Sequence, residues 1–410
     1  MTSLASESYV FDPRPNFPLL LTAKRYWHPA SPHLNDPSAF TLIFAHATGF
    51  HKEQYEPTIE DLYRLIPPGG PNIREAWSID CPNHGDAAVL NEETLRWGYD
   101  EQFGWQEYAR GIHAFLTGLG TGVDIDFTTR RLVLVGHSFS AVVQVFSLTF
   151  QPLLKPECLI LLEIMCIRPS AVAPLMQVYT TVSDNRRDIW SSREEAYQEF
   201  KARAPWKRWD ERVLRTYVEH GLRPLPTLEY PDKTGVTLKC IRRHESAVYR
   251  DTLASFFVYR LMNWLVKHIP THFIYGAVDD LIPRDVKDEF LANQVGGEQN
   301  LSSLTRLPGA GHLLVQTHPE ALAKTISERT ETRPSSCRGR GRHGITKTVE
   351  DAEMPQRGKR AEEPPKGLVG EDGESTDTWR TTSSVTKTLK NKRNLAIGPG
   401  HYVLTPSGIE

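Results

Sequence analysis

The sequence predicts an α/β protein in which a mostly parallel sheet is covered by helices on both faces. Short apolar runs typical of buried strands, such as Phe40–Ala45, alternate with segments of helical periodicity, such as residues 105–119. The chain has 410 residues, of which 39% are hydrophobic and 24% charged. This ordinary globular balance allows a sizeable core.

The alternation places the elements in order along the chain. Five apolar runs are predicted strands: residues 40–45, 76–79, 132–135, 158–162 and 271–275. Three periodic segments between them are predicted helices: residues 54–66, 105–119 and 141–150.

We predict one α/β domain over residues 1–330, with a helical cap inserted at about residues 168–268. The insertion is rich in Trp, Arg and Glu, lacks strong strand alternation, and carries helix-start signals at Ser192 and Asp210. It is not an independent linker, because the aromatic and aliphatic residues between 256 and 265 need a partner surface to be buried.

Residues 331–410 differ in composition and are predicted to be a disordered tail. They are rich in Gly, Pro, Ser, Thr and mixed charge, so they cannot bury enough apolar surface to offset chain entropy. The run RGRGR at residues 338–342 could bind RNA or an acidic partner, but a solvated tail is the favoured interpretation.

Charge and cysteine content exclude several classes of protein. With 48 basic and 50 acidic residues, the chain has no electrostatic footprint for nucleic acid. The five cysteines are scattered, which argues against a disulfide framework and a structural zinc site. The start has no apolar signal segment, and no run approaches the ~18 apolar residues of a membrane span. We therefore expect a soluble intracellular protein.

Residues 136–140, Gly-His-Ser-Phe-Ser, carry the strongest chemical signal. They stand directly after one predicted strand and directly before a predicted helix. A nucleophile elbow needs this context, because its serine sits on a strained strand-to-helix turn flanked by small residues. The pattern alone is weak, and its last position holds Ser140 instead of glycine. The flanking elements predict Ser138 as a catalytic nucleophile.

A serine hydroxyl becomes a good nucleophile only when a base takes its proton and an acid orients that base. His312 is the predicted base, since it ends the Gly-rich loop at residues 308–312 and precedes a helix predicted from about residue 318. Its position after the last strand favours this role over that of an ordinary loop histidine.

Two acids compete for the contact with this histidine. Asp279 lies on a loop directly after the strand at residues 271–275, and Glu163 ends the strand at residues 158–162. Either side chain could instead cap a helix or form a salt bridge, so the residues themselves leave both acids open.

An oxyanion hole requires two backbone N–H donors aimed at the developing negative charge. One is predicted to be Phe139, the residue after the nucleophile. The other is expected in the loop at residues 46–51, where Thr48 is the first choice because Gly49 lets the backbone turn its N–H groups toward the site.

These residues together resemble the α/β-hydrolase fold, over roughly residues 11–328. Four segments resemble a narrower group, the fungal peroxisomal hydrolases of toxin and secondary-metabolite biosynthesis: residues 46–53, 80–86, 136–140 and 192–200. That group includes the AK-toxin hydrolases, the acyl-CoA hydrolase of the mycophenolic acid pathway and the yeast peroxisomal lipase. The resemblance implies hydrolysis of an acyl thioester or ester without a metal or organic cofactor, and it implies Glu163 as the acid.

The sequence therefore predicts a serine hydrolase acting on a small-molecule acyl thioester or carboxylic ester, with no nucleic-acid partner and no membrane span. The alternative is a catalytically silent hydrolase fold used for binding. The resemblance implies a peroxisomal location, but residues 407–410 are not an SKL-like address, and without such an address we expect the cytoplasm.

Overall fold

The computed structural model describes residues 4–67 and 70–330. These residues form the strands β1 (Ala5–Phe11), β2 (Leu21–Trp27), β3 (Phe40–Ala45), β4 (Ile73–Ile79), β5 (Arg131–His137), β6 (Cys158–Leu162), β7 (Ile189–Trp190), β8 (Leu222–Pro224), β9 (Val236–Leu238), β10 (Thr271–Gly276) and β11 (Ser303–Leu307). They also form the helices α1 (Glu56–Leu65), α2 (Gly85–Leu90), α3 (Glu92–Gly98), α4 (Trp105–Thr117), α5 (Phe139–Ser147), α6 (Pro169–Asn185), α7 (Arg193–Ala202), α8 (Glu211–Gly221), α9 (Arg242–Tyr249), α10 (Leu253–His268), α11 (Arg284–Phe290), α12 (Leu314–Thr317) and α13 (Pro319–Thr330).

The main sheet of the described residues has the strand order β1-β2-β4-β3-β5-β6-β10-β11. The pairs from β4 to β11 are parallel, and β1 and β2 join that block as antiparallel edge strands. Ala45 pairs with Gly136, and Gly136 pairs with Leu161. The segments that follow β3, β5 and β6 therefore leave the sheet side by side, which is where open α/β sheets place their sites.

The five predicted strands and the predicted mostly parallel sheet are confirmed. Residues 40–45 and 158–162 match β3 and β6, and the other three runs lie within β4, β5 and β10. The three predicted helices correspond to α1, α4 and α5, with ends that differ by up to three residues. The edge strands β1 and β11, and β2 next to β1, were not predicted.

Apolar side chains bury both faces of the sheet. Leu134 on β5 belongs to the core cluster beside α4, α5 and α10, whereas its neighbour Val133 belongs to the cluster beside α1 and α13. Successive residues of a strand point to opposite faces, so a continuous apolar run supplies both clusters at once.

The segment between β6 and α10, where the helical cap is predicted, contains the helices α6 to α9 and also a small antiparallel sheet, β7-β9-β8, which was not predicted. Its apolar cluster is built on aromatic side chains such as Trp190, Phe200 and Tyr217. Ala47 and Phe50 from the loop after β3 belong to the same cluster. The inserted segment thus packs directly on the loop that was predicted to hold an oxyanion donor.

The partner surface expected for the apolar residues between 256 and 265 covers only some of them. Phe256, Phe257 and Trp264 are 43%, 46% and 55% exposed, whereas Val258 and Met262 are fully buried. Helical periodicity explains the difference, because α10 turns one face toward α5 and the core and leaves the opposite face to solvent.

The predicted disordered tail, residues 331–410 with the RGRGR run, lies outside the described residues. Among the residues that are described, none of the helices combines the length and the apolar character needed to cross a bilayer.

Candidate active site

Ser138 lies at the junction of β5 and α5, in a backbone conformation that few non-glycine residues adopt (φ 61°, ψ −121°). Close backbone packing surrounds the turn, since a Cβ on Gly136 would lie 2.5 Å from the carbonyl oxygen of Ser140. Ser140, which replaces the expected glycine, is accommodated by two hydrogen bonds: its hydroxyl accepts from His137 N–H (2.9 Å) and donates to the Ala45 carbonyl (2.6 Å). The turn therefore holds Ser138 in the strained geometry of a nucleophile elbow.

His312 reaches Ser138 from the loop between β11 and α12. Its Nε2 is 3.0 Å from Ser138 Oγ, and its Nδ1 is 3.1 Å from Glu163 Oε2. The three side chains are 7% exposed or less. In this order of contacts, Nδ1–H donates to the carboxylate and Nε2 is left to accept the hydroxyl proton, which is the arrangement that activates a serine.

Glu163 directly follows β6 and also has an unusual positive φ of 45°. Its Oε1 accepts the N–H of Gly276 (2.6 Å) and the ammonium of Lys287 (2.9 Å), while Oε2 faces His312. Burial by itself would raise the pKa of this carboxyl, but the hydrogen bond with His312 and the charge of Lys287 hold that pKa at about 2. Glu163 is therefore ionised at neutral pH.

Asp279, the other predicted acid, does not contact His312. It is exposed, and its carboxylate accepts the backbone N–H of Arg284 at the start of α11 (2.8 Å). The neighbouring Asp280 points to the site instead, since both of its oxygens accept the backbone N–H of His312 (3.0 and 2.8 Å). Glu163 therefore contacts the ring of His312, and Asp280 contacts its backbone N–H.

His137, inside the elbow motif, contacts the backbone carbonyl group of His312. Its Nε2 lies 2.8 Å from the His312 carbonyl oxygen. Burial and the nearby His312 lower the pKa of His137 to about 3, so the ring is neutral and Nε2–H is the donor. The sequence motif marked this position without indicating its role, and nothing in the pattern around Lys287 marked that residue at all.

The loop after β3 places Thr48 beside the nucleophile. Thr48 and Ser138 line the same cleft, and within the described residues no backbone group accepts a hydrogen bond from Thr48 N–H. The next residue, Gly49, has a φ of 82° and donates its N–H to His84 Nε2 (2.9 Å). Phe139 begins α5, where backbone N–H groups lack helical acceptors. Both predicted oxyanion donors are therefore next to the Ser138 side of the cleft.

The cleft above Ser138 has walls that are mainly apolar or aromatic. It is lined by Ala47, Thr48, Phe50, Ser138, Met165, Tyr179, Tyr249, Leu281, His312 and Leu313. Both lining tyrosines, Tyr179 and Tyr249, come from the inserted segment, and their ring centroids are 5.2 Å apart. Such walls suit an apolar acyl chain beside the polar reacting centre.

Within residues 4–67 and 70–330, no cluster of three or more His, Cys, Asp or Glu side chains has the geometry to hold a metal ion. The polar groups at the cleft are instead occupied with one another, as the Ser138–His312–Glu163 contacts show.

Comparison with known proteins identifies the protein family of the chain. The chain matches the alpha/beta hydrolase family over residues 42–325 and belongs to that family. It is 31% identical over 199 residues to the Type I acyl-CoA thioesterase mpaH of Penicillium brevicompactum, a match that spans 47% of this chain and 42% of that protein. The chain thus covers less than half the length of this curated relative.

Two solved structures share the fold. The peroxisomal alpha-beta-hydrolase Lpx1 of Saccharomyces cerevisiae superposes with a TM-score of 0.59 at 21% identity, covering 80% of this chain and 89% of that one. The M. tuberculosis esterase Rv0045c gives a TM-score of 0.52 at 17% identity, covering 76% and 89% of the two chains. The predicted α/β-hydrolase fold and the predicted resemblance are confirmed.

Proposed function

We propose that the protein is a serine hydrolase that cleaves an acyl thioester or a carboxylic ester, with Ser138 as nucleophile, His312 as base and Glu163 as acid. The observation that carries the proposal is the continuous set of contacts from Ser138 Oγ through the His312 ring to Glu163 Oε2, at 3.0 and 3.1 Å. All three groups are buried, and Ser138 and His312 line a cleft whose walls are mainly apolar.

The reaction begins when Ser138 Oγ attacks the acyl carbonyl carbon and its proton passes to His312 Nε2. The backbone N–H groups of Phe139 and Thr48 stabilise the negative charge that develops on the carbonyl oxygen. Glu163 stabilises the imidazolium on the opposite side of the ring. Collapse of the intermediate breaks the bond to the thiolate or alkoxide, which leaves with the proton, and water then hydrolyses the acyl-serine by the same steps.

A thioester is the favoured substrate class because the similar Penicillium brevicompactum protein is a Type I acyl-CoA thioesterase. The apolar cleft supports the same choice, since an acyl chain needs no charged partner there. The resemblance to the fungal peroxisomal hydrolases extends the proposal to secondary metabolism, including toxin biosynthesis, and to the peroxisome, which imaging of the tagged full chain in a fungal cell would test.

A fluorophosphonate probe tests the proposal, because it reacts covalently with an activated serine. We expect the purified full chain to be labelled and to release thiol from a panel of acyl-CoA thioesters. Ser138→Ala should lose the label and lower turnover by several orders of magnitude while keeping the wild-type melting temperature. The matched control is Ser6→Ala, an exposed serine on β1. A labelled and active Ser138→Ala protein would refute the serine mechanism, and an unlabelled wild type would favour the silent hydrolase fold.

A further inference from the structure

Lys287 is a buried lysine directly beside the proposed triad acid. It lies on α11, is 3% exposed, and places its ammonium 2.9 Å from Glu163 Oε1. The same ammonium is 5.1 Å from the centroid of the Tyr275 ring, whose face attracts a cation. A buried ammonium is costly unless it is paired, so Glu163 and Tyr275 together account for its place in the core.

The two oxygens of Glu163 are therefore assigned to different partners. Oε1 takes Lys287 and the N–H of Gly276, and Oε2 takes His312. The carboxylate is fully buried and cannot turn without losing one of these contacts. One negative charge thus faces a permanent cation on one oxygen and, when His312 is protonated, a second cation on the other.

A carboxylate paired with a histidine favours the imidazolium form of that histidine. An ammonium on the other oxygen has the opposite effect, because it offsets the same negative charge in a buried, weakly screened setting. An unshared carboxylate would therefore stabilise the imidazolium more strongly than a shared one does, and a protonated His312 cannot take the proton of Ser138.

We infer that Lys287 is a positioning residue that fixes Oε2 of Glu163 against His312 and offsets part of the carboxylate charge, so that the carboxylate favours the imidazolium less strongly and His312 remains available as a base. The inference rests on the proposed serine hydrolase function. It concerns Lys287 alone, which contacts Glu163 and is not one of the residues that line the cleft at Ser138.

The other groups around Glu163 and His312 do not replace this cation. His137 on β5 faces the His312 carbonyl oxygen as a neutral ring. Asp280 is held by the His312 backbone N–H. Arg306 on β11 lies 5.6 Å from the Tyr275 ring centroid and is paired with Asp288. Among the described residues, Lys287 is the one ammonium or guanidinium within hydrogen-bond distance of Glu163.

The test is the pH profile of kcat/KM for two variants. Lys287→Met introduces an uncharged side chain of similar length, and Lys287→Arg keeps the positive charge. We expect the acidic limb of the Met variant to move up by roughly one pH unit, as expected for removing one unit charge from a buried site. Each protein's kcat/KM can be expressed as a fraction of its own plateau value. At the pH where the wild type reaches half of its plateau, the fraction for the Met variant would then be roughly fivefold smaller than that for the wild type. The Arg variant should keep the wild-type midpoint.

A purely structural role for Lys287 predicts a different result, namely a uniform loss of kcat/KM at every pH with an unmoved limb, and this would overturn the inference. If the Met variant does not give a wild-type melting profile, Lys287→Gln, which keeps a hydrogen-bond donor without the charge, decides in its place. Fluorophosphonate labelling distinguishes failure of the proposed function from failure of the role of Lys287. An unlabelled wild type refutes the proposed function. A labelled wild type, with the acidic limb of the Lys287→Met profile at the wild-type pH, refutes only the role of Lys287.

Discussion

Gly49 donates its backbone N–H to Nε2 of His84 across 2.9 Å, joining the loop after β3 to the turn after β4. Because Nε2 accepts, the proton of the neutral ring lies on Nδ1, which is 2.7 Å from Asn83 Oδ1. Burial holds the pKa of His84 well below its usual value, so the ring stays neutral. Asn83 in turn donates to the carbonyl of His244 at 2.9 Å. His84 thus fixes the residue next to Thr48, the proposed oxyanion donor.

We expect His84→Ala to lower kcat about tenfold to a hundredfold with little change in KM, because a displaced oxyanion donor weakens only the stabilisation of the transition state. Steady-state kinetics on a simple ester measure both constants. His113→Ala is the matched control, since His113 is also a buried histidine with one carbonyl contact, to Pro152, but lies on α4 away from the cleft. Equal losses of kcat in both variants would show that stability, not loop position, is responsible.

How much could be predicted from sequence depended on the local signal of each element. The central strands β3, β5 and β6 are buried on both faces, so they appear as continuous apolar runs. The edge strand β1 has an exposed Ser-Glu-Ser segment, and β7 has two residues, so neither carries an apolar run. β1 pairs with β2, the next strand in the chain, whereas β7 pairs with β9, which is distant in sequence.

The same reasoning explains the site. Ser138 and His312 stand in motifs whose chemistry is local, whereas Glu163 and Asp279 both follow strands and look alike in sequence. What separates them is backbone direction: Glu163 has a φ of 45° and faces His312, while the Asp279 carboxylate accepts the N–H of Arg284. Lys287 could not be found at all, because its burial follows from its contacts with Glu163 and Tyr275, which are distant in sequence.

Two conservative substitutions test which acid serves His312. Glu163→Gln keeps the shape of the side chain and removes its charge, so kcat should fall by at least about a hundredfold, because the tautomer of His312 and its imidazolium lose their support. Asp279→Asn should stay within about threefold of wild type, since that carboxylate is exposed and faces Arg284. Turnover of the same ester by both variants gives the comparison.

The reverse order, with the larger loss in Asp279→Asn, would contradict the arrangement in the structure. Small and equal losses in both variants would direct attention to Asp280, whose carboxylate accepts the backbone N–H of His312.

The depressed pKa of Glu163 also predicts how stability depends on pH. The folded-state pKa is about 2 against an ordinary value of 4.5. The ionised carboxyl therefore stabilises the folded protein above pH 4.5, and this contribution is lost as the pH falls from 4.5 through about 2. Glu163→Gln lacks this contribution, so its deficit in the free energy of unfolding should shrink on acidification through that window. Urea unfolding at a series of pH values measures the deficit, and one that grows toward low pH would contradict the assignment.

A bidentate ion pair joins the inserted segment to the core domain. The two terminal guanidinium nitrogens of Arg212, at the start of α8, donate to the carboxylate of Asp61 on α1, at 3.0 and 2.8 Å. Asp61 is 2% exposed and also accepts from Arg64 at 2.9 Å. α8 carries Tyr217, whose ring contacts that of Phe50 in the loop that holds Thr48. The pair thus anchors the helix that covers this loop.

We expect Asp61→Asn to lower the free energy of unfolding by about 1–2 kcal/mol, because it removes the buried negative charge and one of the two acceptor oxygens that face a half-exposed arginine. It should also lower kcat/KM by about threefold or more, since α8 would press less firmly on the loop beside Ser138. Urea unfolding and ester kinetics measure the two effects. The matched control is Glu157→Gln, which breaks an exposed pair with Arg131 at the far end of β5 and should change stability by less than about 0.5 kcal/mol. If Asp61→Asn loses stability but keeps full activity, the ion pair does not act on the loop that holds Thr48.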